Sequence, residues 1–311
     1  MTRIVCIGEC MVELRALGED TFARSYAGDV YNTAVYLKRS FAAAQVQFLT
    51  ATGDDAMSTA MRRTWKTQGI DATLAFRVEG GSAGLYLIET DTFGERSFQY
   101  WRKDSAAKHW LALLQESGDE VLRGADLVYY SGISLAILNP NERAAAVEFL
   151  HRERRHVGRI AFDPNVRLRL WQSPHVAAQT IRAAISTCDI ALPSAEDLTW
   201  LLGVSEPTRQ MDLLMQMGVS EVALTLGADG CFVADGERRT ELPAPSVQNT
   251  IDTSGAGDAF NGVYLAQRLQ GSSPDKAAQA ALQVASRVVT HAGAIVPASV
   301  SHPGQPLTHI G

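Results

Sequence analysis

Between Asp252 and Gly262 the chain runs Asp-Thr-Ser-Gly-Ala-Gly-Asp-Ala-Phe-Asn-Gly. Gly255, Ala256 and Gly257 carry little or no side chain, so their backbone N–H groups can come close to a ligand. From Asp258 onward, apolar residues at Phe260, Val263, Tyr264 and Leu265 form the stripe of a helix. A small-residue turn that opens a helix gathers unpaired N–H groups and the positive end of the helix dipole at one spot, which favours an anion. Asp258 stands beside that spot. A simple anion site is weakened by a carboxylate, but moving a phosphoryl group between oxygens requires something to accept the proton of the attacking hydroxyl. The same residues also fit a helix capped after a glycine-rich turn, with Asp258 complementing the dipole. Spacing alone does not separate the two. No Gly-Lys-Ser/Thr follows, so the segment is not a Walker A loop.

The elements that must position these residues are legible from periodicity. Arg3-Ile-Val-Cys-Ile-Gly8 has the look of a buried parallel strand. Asp29 or Asn32 could cap a helix from Thr33 to about Ala43, a strand follows at 45–52, and a helix starts at Gly53-Asp-Asp and runs to about Gln68. Three strand-like pieces then come without helices between them: Thr73–Phe76, Gly84–Glu89 and Arg96–Trp101, the last two joined by a turn at Thr92-Phe-Gly94. They predict a small antiparallel sheet outside the main one, forming a lid or self-association surface together with residues 11–27. Strand and helix then alternate from Leu127, with strands at 127–132, 159–163, 189–193 and 221–226. Helices lie around 141–155, 175–187, 196–202 and 209–217, and two long ones, about 258–270 and 274–291, end the series. The expected class is α/β, a central mostly parallel sheet flanked by helices with a small antiparallel β lid. The division expected is a core of 1–10, 29–75 and 104–300, a lid of 11–28 and 76–103, and a loose tail at 301–311.

Polar residues recur just after the parallel strands, where open α/β sheets bind ligands. Gly8-Glu9, Asp163-Pro-Asn165, Ser194–Asp197 and Gly227-Ala-Asp-Gly230 all stand there. Singly, each is an ordinary turn. A net charge of −6 with no basic run argues against nucleic acid as a partner, and no apolar run approaches the roughly 18 residues of a membrane span. The opening Met1-Thr-Arg followed by a short strand does not resemble a signal peptide. Cys6, Cys10, Cys188 and Cys231 show no metal spacing, which fits reduced, buried thiols in a cytoplasmic protein. The seven histidines form no metal pattern. A dinucleotide-dependent dehydrogenase is disfavoured, because Gly8-Glu-Cys-Met is not Gly-x-Gly-x-x-Gly.

The 252–262 segment matches every fixed position of the C-terminal signature of the ribokinase-like (PfkB-type) carbohydrate kinases, which the chain therefore resembles. The resemblance implies that Asp258 is the catalytic base and that Gly255, Ala256 and Gly257 form the anion hole. The family's sugar-holding Gly-Gly-Asp/Ala-x-x-Asn segment corresponds to Ala27-Gly28-Asp29-Val30-Tyr31-Asn32, which transfers Gly28 and Asn32 as sugar contacts and departs from the pattern at Ala27. The family's Asn-x-x-Glu motif is degenerate here as Ser194-Ala-Glu-Asp197. It leaves Ser194 near ATP and Asp197 as an indirect partner of Mg²⁺. Thr225, Gly227 and Gly230 match where the family holds the nucleotide. ATP and Mg²⁺ are thus the implied cofactors, with a monovalent cation beside Asp252 and 291–294 left open.

Ile7–Glu13, Gly84–Glu89, Tyr100–Ala107, Ser131–Leu138 and Asp163–Trp171 are similar to the 2-keto-3-deoxygluconate kinases within that family. This implies ATP-dependent phosphorylation of the 6-hydroxyl of an acid sugar, with Tyr86, Tyr100, Arg102 and Arg167 as further substrate contacts. A planar guanidinium fits a carboxylate bidentately, whereas a neutral sugar gains nothing from two such charges. Outside the resemblance, Arg102 reads as solvated surface charge, and Arg167 or Arg169 as the partner of an acid. Val166 stands where that subfamily usually has an aromatic residue. The rival readings are a fructokinase or another sugar or nucleoside kinase of the same fold, and a catalytically silent sugar-binding protein. The implied partners are an acid sugar, ATP and a second copy of the chain joined through the lid.

Overall fold

Strands buried on both faces and helices with one apolar stripe build the molecule, whose computed structural model describes residues 1–18, 20–90 and 96–301. In chain order come β1 (Arg3–Ile7), β2 (Met11–Ala16), β3 (Phe22–Ala27), α1 (Asp29–Ser40), β4 (Gln45–Gly53), α2 (Ala56–Thr67), β5 (Ala75–Val78), β6 (Leu85–Thr90) and β7 (Arg96–Trp101). The middle holds α3 (Trp110–Ser117), β8 (Leu127–Ser131), α4 (Gly132–Ala136), α5 (Pro140–Glu153), β9 (Ile160–Asp163), α6 (Pro174–Ile185), β10 (Ile190–Ala191), α7 (Ala195–Leu202) and α8 (Pro207–Gln216). β11 (Glu221–Thr225), β12 (Gly230–Asp235), β13 (Arg238–Pro243), α9 (Ala256–Leu269) and α10 (Pro274–Val288) complete it. Side-chain caps mark several helix starts: Asp55 accepts from the N–H groups of Met57 and Ser58, and Asn139 with Glu142 forms a capping box.

The large sheet has nine strands in the order β13-β12-β11-β10-β9-β8-β1-β4-β5. It is parallel from β5 to β11 and ends in the antiparallel hairpin β12–β13. Buried side chains pack on both of its faces, one cluster including Tyr31, Trp65 and Phe260 and the other Trp110, Phe149 and Phe162. All four cysteines are buried free thiols. A second sheet, β3-β2-β6-β7, stands apart.

The three-strand expectation for residues 73–101 needs correcting. Ala75–Val78 pairs parallel with β4 at the edge of the large sheet, because α2 supplies the crossover that carries a chain from one parallel strand to the next. Only β6 and β7 enter the small sheet, beside β2 and β3, and β2 runs parallel to β6 within it. The expected turn at 92–94 lies outside the described residues, as does the tail from 302 onward.

Two contacts fix α9, the helix that carries the glycine-rich turn. At its middle, a Cβ on Gly262 would lie 2.5 Å from the Thr33 carbonyl oxygen and 2.9 Å from the Leu37 nitrogen, so α1 and α9 touch backbone to backbone. Toward its C-terminus, Tyr264 Oη donates to Glu221 at 2.7 Å and Arg268 donates to both oxygens of the same buried carboxylate at 2.8 Å. These hydrogen bonds tie α9 to β11.

Candidate functional site

A cavity of about 600 Å³ opens between the C-terminal ends of the parallel strands and the small sheet. Gly28, Asn32, Tyr86, Tyr100, Arg102, Arg167, Ser194, Asp197, Thr225, Gly255, Gly257 and Asp258 all line it. A neighbouring cavity of about 530 Å³ shares Thr225, Thr253 and Gly257 with the first and adds Ala256, Gly227 and Gly230. Its wall is largely apolar, including Ala244, Val247, Leu282, Ala285 and Val289. The residues expected to serve catalysis, substrate or ATP therefore border one of two adjoining chambers, and Gly257 borders both.

The glycine-rich turn lies at their junction. Gly255 caps α9 with φ +74, a left-handed conformation that favours glycine, and a Cβ there would meet the Ala294 carbonyl oxygen at 2.6 Å. Gly257 has open space around its α-carbon, which leaves the backbone approachable from the cavity. Asp252 holds the turn from behind, accepting from Ser254 N and Gly293 N, each at 2.7 Å. Gly230 has a different reason to be glycine. Its φ is +118 and a Cβ would lie 2.1 Å from the Leu242 carbonyl oxygen, so the β12–β13 hairpin demands it.

Two acid–amide pairs face each other across the α1–α9 contact. Asp29 and Asn32 lie one turn apart on α1, Asp258 and Asn261 one turn apart on α9, so each pair shares a helix face. Asn32 Nδ2 donates to Asp258 Oδ2 at 2.8 Å, and Asn261 Nδ2 donates to Asp163 Oδ2 at 2.9 Å. Asn165 Nδ2 donates to Asp29 Oδ2 at 2.8 Å. Asn165 itself has φ +32, held there while its N–H donates to Asp163 Oδ1 at 3.0 Å. The sequence offers Asp29 only as a helix cap, a position that Gly28 takes instead with the helix starting at Asp29; it places Asn165 only in a polar turn after a strand and gives Asn261 no role. The i, i+3 spacing with Asn32 and Asp258 was the available signal for Asp29 and Asn261.

Carboxylates crowd this end of the cavity, and their protonation reflects it. Burial pushes Asp258 up to about 7, reinforced by the charge of Asp29, while the Asn32 hydrogen bond and the Arg167 charge pull the other way. Asp163 is held well above the usual carboxylate range by burial and then by Asp197, Asp29 and Asp258. Burial also raises Asp197, against the opposing effects of its Ser194 hydrogen bond and Arg167. Ser194 acts locally as the cap of α7, accepting from Asp197 N at 3.1 Å, while Asp197 Oδ1 accepts from Val166 N at 3.1 Å. Oxygen donors at Glu196 and Asp197 line the cavity. Among the described residues no cluster of three or more His, Cys, Asp or Glu side chains forms a ready metal site.

The opposite end is built from side chains of the small sheet and the loop after β9. Tyr86 and Tyr100 stack with centroids 5.6 Å apart, and the Tyr86 hydroxyl donates to the buried carboxylate of Glu13. Arg102 is not solvated surface charge: it pairs with Glu9, which is 2% exposed and also accepts from Ser105 Oγ at 2.5 Å. Arg167 is exposed, with Nη1 donating to its neighbour's carbonyl, Val166 O, at 3.0 Å. Gly28 brings α1 close to this end, since a Cβ there would lie 2.1 Å from the Glu9 carbonyl oxygen. The buried partners Glu9 and Glu13 were visible in the sequence only as residues after and within strands.

Residues 1–300 match the family described as pfkB family carbohydrate kinase. The chain is 40% identical over 301 residues to 2-dehydro-3-deoxygluconokinase of Escherichia coli strain K12, covering 95% of this chain and 97% of that protein. It is equally 40% identical, over 304 residues, to the 2-dehydro-3-deoxygluconokinase of Dickeya dadantii, covering 94% and 96%. Among solved structures, a PfkB protein from Polaromonas sp. JS666 superposes with a TM-score of 0.83 at 25% identity, over 93% of this chain and 95% of that one.

Proposed function

The chain belongs to the pfkB family of carbohydrate kinases, and from that premise we propose that it phosphorylates 2-keto-3-deoxygluconate, the compound also called 2-dehydro-3-deoxygluconate, at its 6-hydroxyl with ATP. The observation that carries this reading is the 40% identity to two 2-dehydro-3-deoxygluconokinases over nearly the whole chain. The arrangement of the two chambers supports it. The larger takes the sugar, with Gly28 and Asn32 holding hydroxyls and the carboxylate directed toward Arg102. The apolar chamber beside Gly227 and Gly230 takes the adenine end of ATP, so that the phosphates reach Thr225 and the glycine-rich turn from the far side.

The transferred group then passes across the junction at Gly257. The N–H groups of Gly255 and Gly257 stabilise the charge on its oxygens as preorganised donors do; that of Ala256, which donates to Thr253 O at 3.3 Å, joins them by leaving that carbonyl. Asp258 accepts the proton of the 6-hydroxyl. A carboxylate raised to about 7 is a better base than an ordinary one, and the loose transition state asks for proton acceptance only late. Asn32 holds Asp258 in place. Arg167 offsets part of the negative charge that Asp197 and Asp258 would present to ATP. Mg²⁺ fits the oxygen donors present: Glu196 and Asp197 would hold it, through water, with most of its ligands coming from the nucleotide. It would supply charge neutralisation for the phosphates. The small sheet, closing over the sugar, limits hydrolysis of ATP by water. We place self-association on the face of that sheet turned away from Tyr86 and Tyr100, where Phe22 is 46% and Trp101 55% exposed.

An ADP-release assay with ATP and Mg²⁺ over 2-keto-3-deoxygluconate, 2-keto-3-deoxygalactonate, fructose, ribose and adenosine tests the reading. Turnover of the acid sugars is expected. Turnover of fructose or adenosine alone would keep the role of Asp258 and discard the acid-sugar assignment.

A further inference from the structure

Among the described residues three guanidinium groups line the sugar cavity, and they are differently engaged. The charge of Arg102 is already met by Glu9, a carboxylate inside the protein. Arg167 acts on Asp197 and Asp258, which places its influence at the end where the phosphoryl group moves. Arg169 differs from both. It is exposed on the turn Leu168–Leu170, and its guanidinium carbon lies 4.1 Å from the centroid of the Tyr100 ring. Among the described residues it has no ion-pair partner and no hydrogen bond.

A guanidinium lying over an aromatic ring uses its face and keeps its N–H donors, which point outward in its own plane. Tyr100 is a firm platform for it, since Tyr100 stacks on Tyr86 and Tyr86 donates to buried Glu13. The column Arg169–Tyr100–Tyr86–Glu13 thus presents an unspent, oriented fork to the cavity, two residues from Arg102 along the Tyr100 segment. With the 6-hydroxyl at Asp258, the carboxylate lies at the other end of the substrate's carbon chain, away from Arg167's field.

We propose that Arg169 is a specificity-determining residue that binds the substrate carboxylate through its in-plane donors, alongside Arg102, with Tyr100 as its platform. This rests on the acid-sugar reading of the cavity given above.

The test compares the full-length protein with Arg169→Met and Arg169→Lys, using 2-keto-3-deoxygluconate and its uncharged carboxamide as substrates. Arg169→Met should raise KM for the acid about 10- to 100-fold, the scale of a charged hydrogen bond, and leave KM for ATP unchanged. The preference for acid over amide in kcat/KM should fall by a similar factor, and Arg169→Lys should recover part of it. An unchanged KM for the acid in Arg169→Met, with the parent protein active, would overturn this inference alone. Equal losses on acid and amide would also overturn it, because they mark a packing contact between Arg169 and Tyr100. A parent protein that turns over neither substrate would overturn the acid-sugar reading as well.

Discussion

The two ends of the sugar cavity are built on different principles. The end at Asp258 is framed by backbone: a left-handed glycine, a helix N-terminus and two helices in direct contact set its shape. The end at Tyr100 uses side chains from β2, β6–β7 and the loop after β9, held by buried carboxylates. A backbone site is rigid and indifferent to which sugar arrives, so it suits the step that all substrates share. A side-chain site can be retuned by single substitutions, so it suits selection among substrates. The reaction should therefore depend steeply on the first region and gradually on the second.

The sharpest break in that comparison is Asp258→Asn, which keeps the shape and removes the proposed base. It should lower kcat by about 10²–10⁴-fold, the range for general-base catalysis, with KM for ATP little changed in steady-state assays. Near-normal turnover would remove Asp258 from the chemistry. Next comes Gly262→Ala, placed 2.5 Å from the Thr33 oxygen. Forcing α1 from α9 should lower kcat about 10²-fold through misplacement of Asn32 and Asp258, and an overpacked contact should cost about 1–3 kcal/mol in chemical denaturation.

At the other end, Arg102→Met should act mainly on KM for the acid sugar, by roughly tenfold or more. A collapse of kcat instead would mean that the two regions are not separable. Smaller still is a shift in pH dependence. With Asp258 as the proposed base, the free enzyme needs it ionised, so kcat/KM should rise with pH through about 7. Asn32→Ala removes a hydrogen bond that favours the ionised form, so this limb should move to higher pH. The smallest effect is on stability. A carboxylate raised in the folded state favours folding below its unfolded value, near 4, and that contribution is lost as pH rises through about 7. Asp258→Asn should therefore raise Tm by a few degrees at pH 8 and not at pH 4, measured by calorimetry.

The same contrast explains what the sequence disclosed. The Asp258 region was legible because its parts are contiguous: a small-residue turn, a carboxylate and an apolar stripe stand within eleven residues. The alternation of buried strands and striped helices likewise exposed the α/β architecture. Ala75–Val78 was misplaced because strand propensity does not say which sheet a strand joins; the crossover helix before it does. The strand Arg238–Pro243 is hard to read from sequence, since its alternation is weak and mostly exposed. Tyr86, Tyr100 and Arg102 were found through resemblance, but their anchors were not. Glu9 and Arg102 are 93 residues apart, and Asn165 and Asp29 are 136 apart. No local spacing encodes such pairs.

The direct contact between α1 and α9 also has a consequence in time. Asn32 and Asp258, which it brings within hydrogen-bonding distance, are separated by 226 residues. One belongs to the first helix made and the other to the ninth. During synthesis, a growing chain can complete much of the large sheet while lacking Asp258, the glycine-rich turn and much of the wall of the smaller chamber. The two chambers are therefore completed last, when α9 and α10 have left the ribosome and α9 docks on α1.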